Sequence, residues 1–309
     1  MSGPAADAPR VPPGGDSASG GPPVCPRHPD RTSYIRCQRC ERPTCPDCQR
    51  PAAVGVQCVD CVAQGARTAP VARTRFGAPV RQGRPVVTWT LMGLCLLVYV
   101  AQLANPVVVT GALAFVGRLA GEEPWRMVTS AFVHSPQSLL HIAFNLYILF
   151  AVGPVIEEAL GRARFAVTYL LCAVGGSVGV LVLSVPDPGW TRFVVGASGA
   201  IFGLLFLYVV LAWRRGGVST GLLVMIGINL ALPFFVGGIA WQAHIGGAVT
   251  GAVIGGLMLL TSAPGRSPQA ARRRAMAWPA LAGVLVVLLL LAGLRVWQVM
   301  GPAGLGLPG

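Results

Sequence analysis

The chain has 309 residues, of which 53% are hydrophobic and only 11% are charged. This composition excludes an ordinary soluble domain, because the chain contains several apolar stretches of about 20 residues, the length that crosses the hydrocarbon core of a bilayer. The formal net charge of +13 rests on arginines alone. They are scattered through the N-terminal region and the gaps between apolar stretches, which is typical of membrane topology signals and excludes nucleic acid as the expected partner.

The N-terminal quarter of the chain has three compositional segments. Residues 1–24 are rich in Pro, Gly and Ala and are predicted to be a disordered tail; with no early apolar core, no cleavable signal peptide is expected. Residues 25–62 form a cysteine-rich domain. Residues 63–85 form an Arg-rich linker.

The cysteine-rich domain has the spacing of metal ligands. Its ligand types occur in four pairs, each separated by two residues: Cys25 and His28, Cys37 and Cys40, Cys45 and Cys48, Cys58 and Cys61. Eight nitrogen and sulfur ligands suffice for two tetrahedral zinc sites. A disulfide framework is the alternative, which a reducing cytoplasm disfavours. Because protein fills every ligand position, we expect two structural zinc ions that let a small domain fold, and a role in binding a cytoplasmic protein partner.

From Val86 onward the sequence predicts an all-α polytopic membrane protein with seven spans. Each apolar stretch is interpreted as a helix, because a helix satisfies its own backbone hydrogen bonds in lipid. The predicted spans are about 86–104, 137–156, 164–184, 196–213, 219–236, 239–260 and 276–298.

The connections between the spans differ in arginine content. One set holds Arg162, Arg164, Arg214, Arg215, Arg266 and Arg272 to Arg274, and the alternate set holds Arg118, Arg126 and Arg192. The positive-inside rule then places the N-terminus in the cytoplasm and the C-terminus outside. We expect the chain to lie in the plasma membrane.

Ser198 and His244 form a candidate catalytic pair. A serine among small residues, as in VVGASGAIFG at 194–203, is ordinarily a spacer between close-packed helices. His244 lies at a similar predicted depth in another span, where an ionisable residue is costly and favours a functional role. An imidazole can take the proton of a serine hydroxyl. The spans offer no Asp or Glu to orient His244, so the expected unit is a Ser–His dyad.

Two further polar residues, His141 and Asn145, share one helix face at four-residue spacing. The Asn145 amide and the free N–H groups at the first turn of the Ser198 helix are candidate donors to an oxyanion. Ordinary interhelical hydrogen bonding is the alternative for this pair.

Glycines at four-residue spacing would let the helices of Ser198 and His244 approach closely. They are Gly199 and Gly203 on one helix, and Gly247, Gly251 and Gly255 on the other.

Residues 86–260 carry five motifs in a characteristic order: Trp125-Arg126, HIAFN at 141–145, GPVIEEALG at 153–161, GASG at 196–199 and AHIGGAVTG at 243–251. In these motifs the region resembles the rhomboid intramembrane serine proteases. The resemblance implies a six-helix protease core that cleaves transmembrane segments of membrane proteins near the outer face.

The resemblance also implies roles for individual residues. Ser198 would be the nucleophile, His244 the base, and Asn145 and His141 would form the oxyanion site with the Ser198 N–H. Phe202 occupies a position where some members have a tyrosine stacked on the catalytic histidine, and its ring is expected to pack on His244.

Outside the catalytic pair, Trp125 and Arg126 would support a loop. Residues 261–300 would add a cytoplasmic loop and a seventh transmembrane helix. A non-catalytic rhomboid-like adaptor or chaperone that binds transmembrane helices is the alternative function.

The order of the ligand pairs resembles a B-box-type zinc finger, in which the pairs interleave. That resemblance implies one zinc ion on Cys25, His28, Cys45 and Cys48, and the other on Cys37, Cys40, Cys58 and Cys61. A treble-clef or sequential arrangement stays open.

Overall fold

The computed structural model of the chain describes residues 21–69, 73–80, 83–214, 216–265 and 267–301. The predicted disordered tail therefore lies, up to residue 20, outside the described residues, as do Arg81, Arg215 and Arg266. The chain divides into two units, residues 1–71 and residues 72–309.

The first unit is built from two short hairpins and one helix. Strand β1 (Val24–Cys25) pairs antiparallel with β2 (His28–Thr32), and β3 (Gln49–Pro51) pairs antiparallel with β4 (Val56–Cys58). Helix α1 (Val59–Thr68) follows β4. The buried residues of this unit are mainly cysteines, which form two small clusters. With so little apolar core, the unit depends on whatever its cysteines bind.

The second unit is helical. Its helices are α2 (Val86–Ala104), α3 (Pro106–Leu113), α4 (Arg126–Thr129), α5 (Leu139–Leu160), α6 (Arg162–Leu183), α7 (Pro186–Gly189), α8 (Ser198–Trp213), α9 (Thr220–Ala231), α10 (Trp241–Thr261), α11 (Pro268–Ala275) and α12 (Ala277–Met300).

Among the described residues, five helical segments are long and apolar enough to cross a membrane: α2, α5, α6, α10 and the α11–α12 segment. They confirm five of the seven predicted spans. The other two predicted spans correspond to α8 and α9, which are apolar but have only 16 and 12 residues. Helix α9 ends five residues before the predicted limit of its span, because Pro233 follows and cannot continue an α-helix.

Glycines bring α8 and α10 into backbone contact. A Cβ atom on Gly247 would collide with the backbone of Gly199, and one on Gly251 would collide with the backbone of Gly203. The predicted close approach of these two helices is therefore confirmed. Gly255 instead faces the side chain of Val210.

Helix α6 completes a three-helix core with α8 and α10, and here sequence analysis missed a set of glycines. A Cβ on Gly179 would collide with Gly246 of α10, and one on Gly175 would collide with Thr250. Gly176 lies against Gly199. The spacing of these residues in CAVGGSVG is the signal that was available.

Glu157 joins α5 to the beginning of α2. Its buried carboxylate accepts hydrogen bonds from the backbone N–H groups of Val87 (3.0 Å) and Thr88 (2.8 Å) and from the Thr88 hydroxyl (2.8 Å). The first N–H groups of a helix have no intrahelical partner, and the positive end of the helix dipole favours a nearby negative charge. The Glu157 carboxylate therefore supplies both the missing hydrogen-bond acceptors and the favourable charge at the beginning of α2. A Cβ on Gly153 would collide with Thr88. The GPVIEEALG motif thus sets the packing of α5 on α2.

The additional helix α12 packs on α6 and α10. It buries Leu281 and Leu288, and the Arg295 side chain donates from Nε to the Leu181 carbonyl at the end of α6 (3.2 Å). This bond satisfies a carbonyl of the last turn of α6 with a cation, which the helix dipole favours there.

Candidate active site

Ser198 and His244 are joined by a hydrogen bond. The distance between Ser198 Oγ and His244 Nε2 is 3.0 Å. Ser198 is the first residue of α8, and His244 lies in the first turn of α10 with 6% of its surface exposed. Two helix beginnings therefore meet at one end of the bundle, where the glycine contacts hold their backbones together.

The His244 ring has a defined environment on both sides. It stacks on Phe202, with ring centroids 4.2 Å apart and an interplanar angle of 13°, so the expected packing of Phe202 on His244 is confirmed. Its Nδ1 is buried and has no hydrogen-bond partner among the described residues. The arrangement is a pair of side chains without an orienting carboxylate.

The short segment that leads into Ser198 is held in place by backbone hydrogen bonds. Val194 pairs with Phe115, and the Gly196 N–H donates to the Ser130 carbonyl (3.1 Å). Gly196 has a φ of 123°, which is a glycine conformation. A Cβ at this position would also lie 2.9 Å from His141 Nε2 and 3.4 Å from Ser198 Oγ. Only glycine leaves this space open between the two side chains.

The structure brings His141 toward Ser198 but turns Asn145 away. Because His141 Nδ1 accepts a hydrogen bond from the Ser135 N–H (3.2 Å), its Nε2 is the nitrogen that faces the space beside Gly196. Asn145 is buried, and its Nδ2 donates to the His141 carbonyl one turn earlier in α5 (2.7 Å). Three of the four predicted residues therefore converge, and the fourth is hydrogen-bonded within its own helix.

Sequence analysis missed two buried residues behind His141, namely Gln102 and His134. The Gln102 amide donates to the His134 carbonyl (2.8 Å) and accepts from the His134 N–H (2.9 Å). The His134 ring lies 5.3 Å from the His141 ring, centroid to centroid, and burial lowers the pKa of His134 to about 4. A lone glutamine in the first apolar span and a histidine just before HIAFN were the available signals.

Arg126 supports the loop before α5. It is buried, and its Nη1 donates to the carbonyls of Gly111 (2.6 Å) and Ala114 (2.9 Å). Its guanidinium also forms an ion pair with Glu123. The neighbouring Trp125 is exposed. The Arg126 contacts hold the connection after α3 against the loop that leads to the site.

The first unit contains two clusters of metal-ligand side chains. One cluster consists of Cys25, His28, Cys45 and Cys48, and the other of Cys37, Cys40, Cys58 and Cys61. Within each cluster the ligand atoms lie within 4.8 Å of one another. The structure thus groups the pairs in the interleaved order rather than in the order of the sequence.

The spacing inside the clusters fits a tetrahedral ion. Two sulfurs bound to zinc at about 2.3 Å are about 3.8 Å apart in a tetrahedron, and Cys40 Sγ lies 3.8 Å from Cys58 Sγ. His28 Nδ1 lies 3.2 Å from Cys45 Sγ and 3.4 Å from Cys48 Sγ. All nine cysteines are free thiols, so the disulfide alternative is wrong.

Backbone groups favour thiolates in both clusters. In the Cys₄ cluster, Cys37 Sγ accepts from the N–H groups of Arg39 (3.4 Å) and Cys58 (3.2 Å). In the other cluster, a hydrogen bond from the backbone of Cys45 lowers the pKa of Cys25 to about 6. The thiolate is the form that binds a metal ion.

Comparison with known proteins agrees with this architecture. A model of the rhomboid domain matches residues 121–261. The chain is 33% identical over 190 residues to the rhomboid protease GluP of Bacillus subtilis, an alignment that covers 58% of this chain and 36% of the relative. It is 30% identical over 213 residues to the mitochondrial RHOMBOID-like protein 6 of Arabidopsis thaliana (62% of this chain, 64% of the relative). It is 30% identical over 162 residues to rhomboid-type serine protease 2 of Emericella nidulans (50% and 30%).

The chain thus spans about a third of the length of two of these relatives and about two thirds of the third. A helical bundle with segments long and apolar enough to cross a membrane defines the class as a polytopic membrane protein, and a partly buried Ser–His contact lies at one end of the bundle. Residues 121–261 match the rhomboid domain, and the chain is similar to members of the rhomboid family.

Proposed function

We propose that this chain is an intramembrane serine endopeptidase in which Ser198 is the nucleophile and His244 the general base. The observation that carries the proposal is the 3.0 Å hydrogen bond between Ser198 Oγ and His244 Nε2 inside a bundle with membrane-crossing helices. Relatives named as rhomboid proteases support the same reaction class.

The reaction begins with attack of Ser198 Oγ on a peptide carbonyl carbon. His244 Nε2 accepts the serine proton and then donates it to the departing amine, which leaves an acyl-enzyme. Water, deprotonated by the same nitrogen, hydrolyses this ester and restores the serine. Stacking on Phe202 holds the imidazole in place, as a carboxylate does in a triad.

The developing oxyanion would meet three donors. The backbone N–H of Ser198 lies at the first position of α8, where intrahelical acceptors are lacking. His141 Nε2 borders the open space beside Gly196. Asn145 joins them when its amide rotates from the His141 carbonyl, an exchange of one hydrogen bond for another. Donors of this kind are most effective where water is excluded.

The substrates would be transmembrane segments of other membrane proteins. Ser198 and His244 lie at the beginnings of their helices, opposite the end where α6 carries Arg162 and Arg164 and α11 carries Arg272, Arg273 and Arg274. With the Arg-rich end in the cytoplasm, cleavage takes place near the outer face of the plasma membrane. The N-terminus is then cytoplasmic and the C-terminus outside.

The two cysteine clusters would each hold one structural Zn²⁺. Their donor sets are Cys₃His and Cys₄, the types found in closed zinc sites, and the spacing fits a tetrahedral ion. Since all four ligands of each site come from the protein, the ions serve folding and a protein-binding role of the first unit rather than catalysis.

The test uses the purified full chain in detergent, with a phosphonate probe that labels nucleophilic serines and a model transmembrane substrate. Wild type is expected to be labelled and to cleave, whereas Ser198→Ala loses both activities. Ser262→Ala removes a hydroxyl at the opposite end of α10 and serves as the matched control with wild-type activity.

Two results would contradict the proposal. Labelling of Ser198→Ala at the wild-type rate would show that another serine reacts. If wild type and Ser198→Ala bind the substrate equally and neither cleaves it, the chain is the non-catalytic adaptor of the alternative hypothesis.

A further inference from the structure

Exposed tryptophans mark both ends of the second unit. Trp89, Trp213 and Trp278 are exposed at the beginning of α2, the end of α8 and the beginning of α12, which lie at one end. At the other end, Trp125, Trp241 at the beginning of α10 and Trp297 near the end of α12 are exposed. Trp278 and Trp297 are 19 residues apart, or about 28 Å along a helix, close to the bilayer core of about 30 Å. Tryptophans of this kind lie at the level of lipid headgroups.

The end that carries Trp89, Trp213 and Trp278 also carries arginines without an ion-pair partner. We call this surface the Arg-rich end, and it comprises Arg73, Arg75, Arg164, Arg272, Arg273 and Arg274. In the described part of the chain, none of these six guanidiniums lies within ion-pair distance of a carboxylate.

The opposite end differs in this respect. Arg126 forms an ion pair with Glu123, and Arg118 lies 3.9 Å from Asp187. Charge at the site end is therefore largely balanced by the protein. Beside the Arg-rich end, Arg162 lies 3.8 Å from Glu157, but the six arginines of the Arg-rich end have no such partner among the described residues.

The arginines of the Arg-rich end are held in place by carbonyl groups. Arg164 donates to the carbonyls of Phe76 and Arg274, and Arg274 donates to the carbonyls of Ala263 (2.6 Å) and Gly265 (2.9 Å). Carbonyl dipoles orient a guanidinium but leave its full positive charge. Each guanidinium has five N–H groups, so donors remain available for an anion.

The arginines of this end lie close to its exposed tryptophans. The Arg164 guanidinium lies over the Trp278 ring, 5.8 Å from its centroid. Arg272 is exposed and precedes Trp278 by six residues. The uncompensated charge is thus at the depth of the tryptophan belt, where lipid phosphates are found.

We propose that the Arg-rich end binds the headgroups of anionic phospholipids. A guanidinium matches the geometry of a phosphate oxygen pair, and each arginine near an anionic leaflet contributes a favourable electrostatic interaction. The belt places this surface in a leaflet, which favours lipid over a soluble polyanion. The binding is independent of the proposed proteolysis.

The experiment measures lipid binding to the purified full chain by native mass spectrometry. The micelles contain either phosphatidylglycerol or phosphatidylcholine with the same acyl chains. We expect wild type to bind phosphatidylglycerol at least tenfold more tightly. Arg272→Gln, which breaks no contact among the described residues, should weaken phosphatidylglycerol binding about fivefold, and Arg272→Gln/Arg273→Gln about 25-fold.

Arg192→Gln is the matched control, since Arg192 is an exposed arginine at the opposite end and its removal should leave phosphatidylglycerol binding unchanged. Equal affinity for the two lipids would overturn the proposal, as would a loss in Arg192→Gln as large as in Arg272→Gln. Binding of a short RNA through Arg272 and Arg273, without binding of phosphatidylglycerol, would assign the surface to a different partner.

Discussion

Replacing Gly247 by alanine should separate the two residues of the candidate site. Gly247 lies three residues after His244, and Gly199 directly follows Ser198. A Cβ on Gly247 would overlap the Gly199 carbonyl oxygen and would lie 2.7 Å from the Gly199 carbonyl carbon, whereas ordinary contact begins near 3.4 Å. The obstacle is backbone, so no side-chain rotation relieves it.

The magnitude follows from these distances. Helices α8 and α10 must separate by the difference of about 0.7 Å or more, which lengthens the 3.0 Å hydrogen bond between Ser198 and His244 to about 3.7 Å, beyond hydrogen-bond range. A misplacement of about 1 Å can cost on the order of 100-fold in rate. Overpacking of this kind also costs about 1–3 kcal/mol of stability.

The assay is the rate of phosphonate labelling of Ser198, followed with thermal unfolding in detergent. Gly247→Ala should label about 10- to 100-fold more slowly than wild type. The control is Gly256→Ala on the same helix, where a Cβ meets nothing within 4 Å; it should label normally and gain up to about 1 kcal/mol from helix propensity. Wild-type labelling by Gly247→Ala, or an equal loss in Gly256→Ala, would refute the reasoning.

Three further outcomes follow from the buried polar groups and the cysteine clusters. Glu157→Gln should lower thermal stability by about 2–3 kcal/mol, because a charged acceptor of three hydrogen bonds is lost; the exposed neighbour Glu158→Gln should stay within about 0.5 kcal/mol, and equal effects would contradict the contact. Gln102→Leu leaves the backbone groups of His134 without their partner and should cost about 1–3 kcal/mol in thermal unfolding; unchanged stability would contradict the role of this contact. Cys45→Ser should reduce the bound zinc from two ions to one in elemental analysis of the purified chain, and retention of both ions would show that Cys45 is not a ligand.

The contacts that a sequence can predict here depend on local spacing. The four-residue repeat of glycines in α8 and α10 predicts a smooth face, and Gly247 does meet Gly199 as Gly251 meets Gly203. The glycines of α6 escaped notice because CAVGGSVG lies in a uniformly apolar helix. In such a helix, composition does not distinguish the face that packs on other helices from the face that contacts lipid. Contacts of this kind depend on which neighbour a helix acquires.

Contacts between distant segments and side-chain rotations were beyond sequence reasoning. Gln102 and His134 are 32 residues apart and meet through a loop, so no periodicity links them. Asn145 was placed correctly on the face of His141, but its amide points back to its own helix. That choice is a rotation about one side-chain bond, which residue type does not determine. The domain boundaries drawn from composition stay predictions.

The short length of α9 has a consequence for the surrounding lipid. Its 12 residues span about 18 Å, roughly 12 Å less than a bilayer core of about 30 Å. Only Ile226 of this helix is buried, so in a bilayer most of its surface would face lipid chains. Such hydrophobic mismatch requires the bilayer to thin beside α9, at a cost of fractions of a kcal/mol per Å. Helix α12, with 24 residues, would impose no such deformation, so a surrounding bilayer would be thinner beside α9 than beside α12.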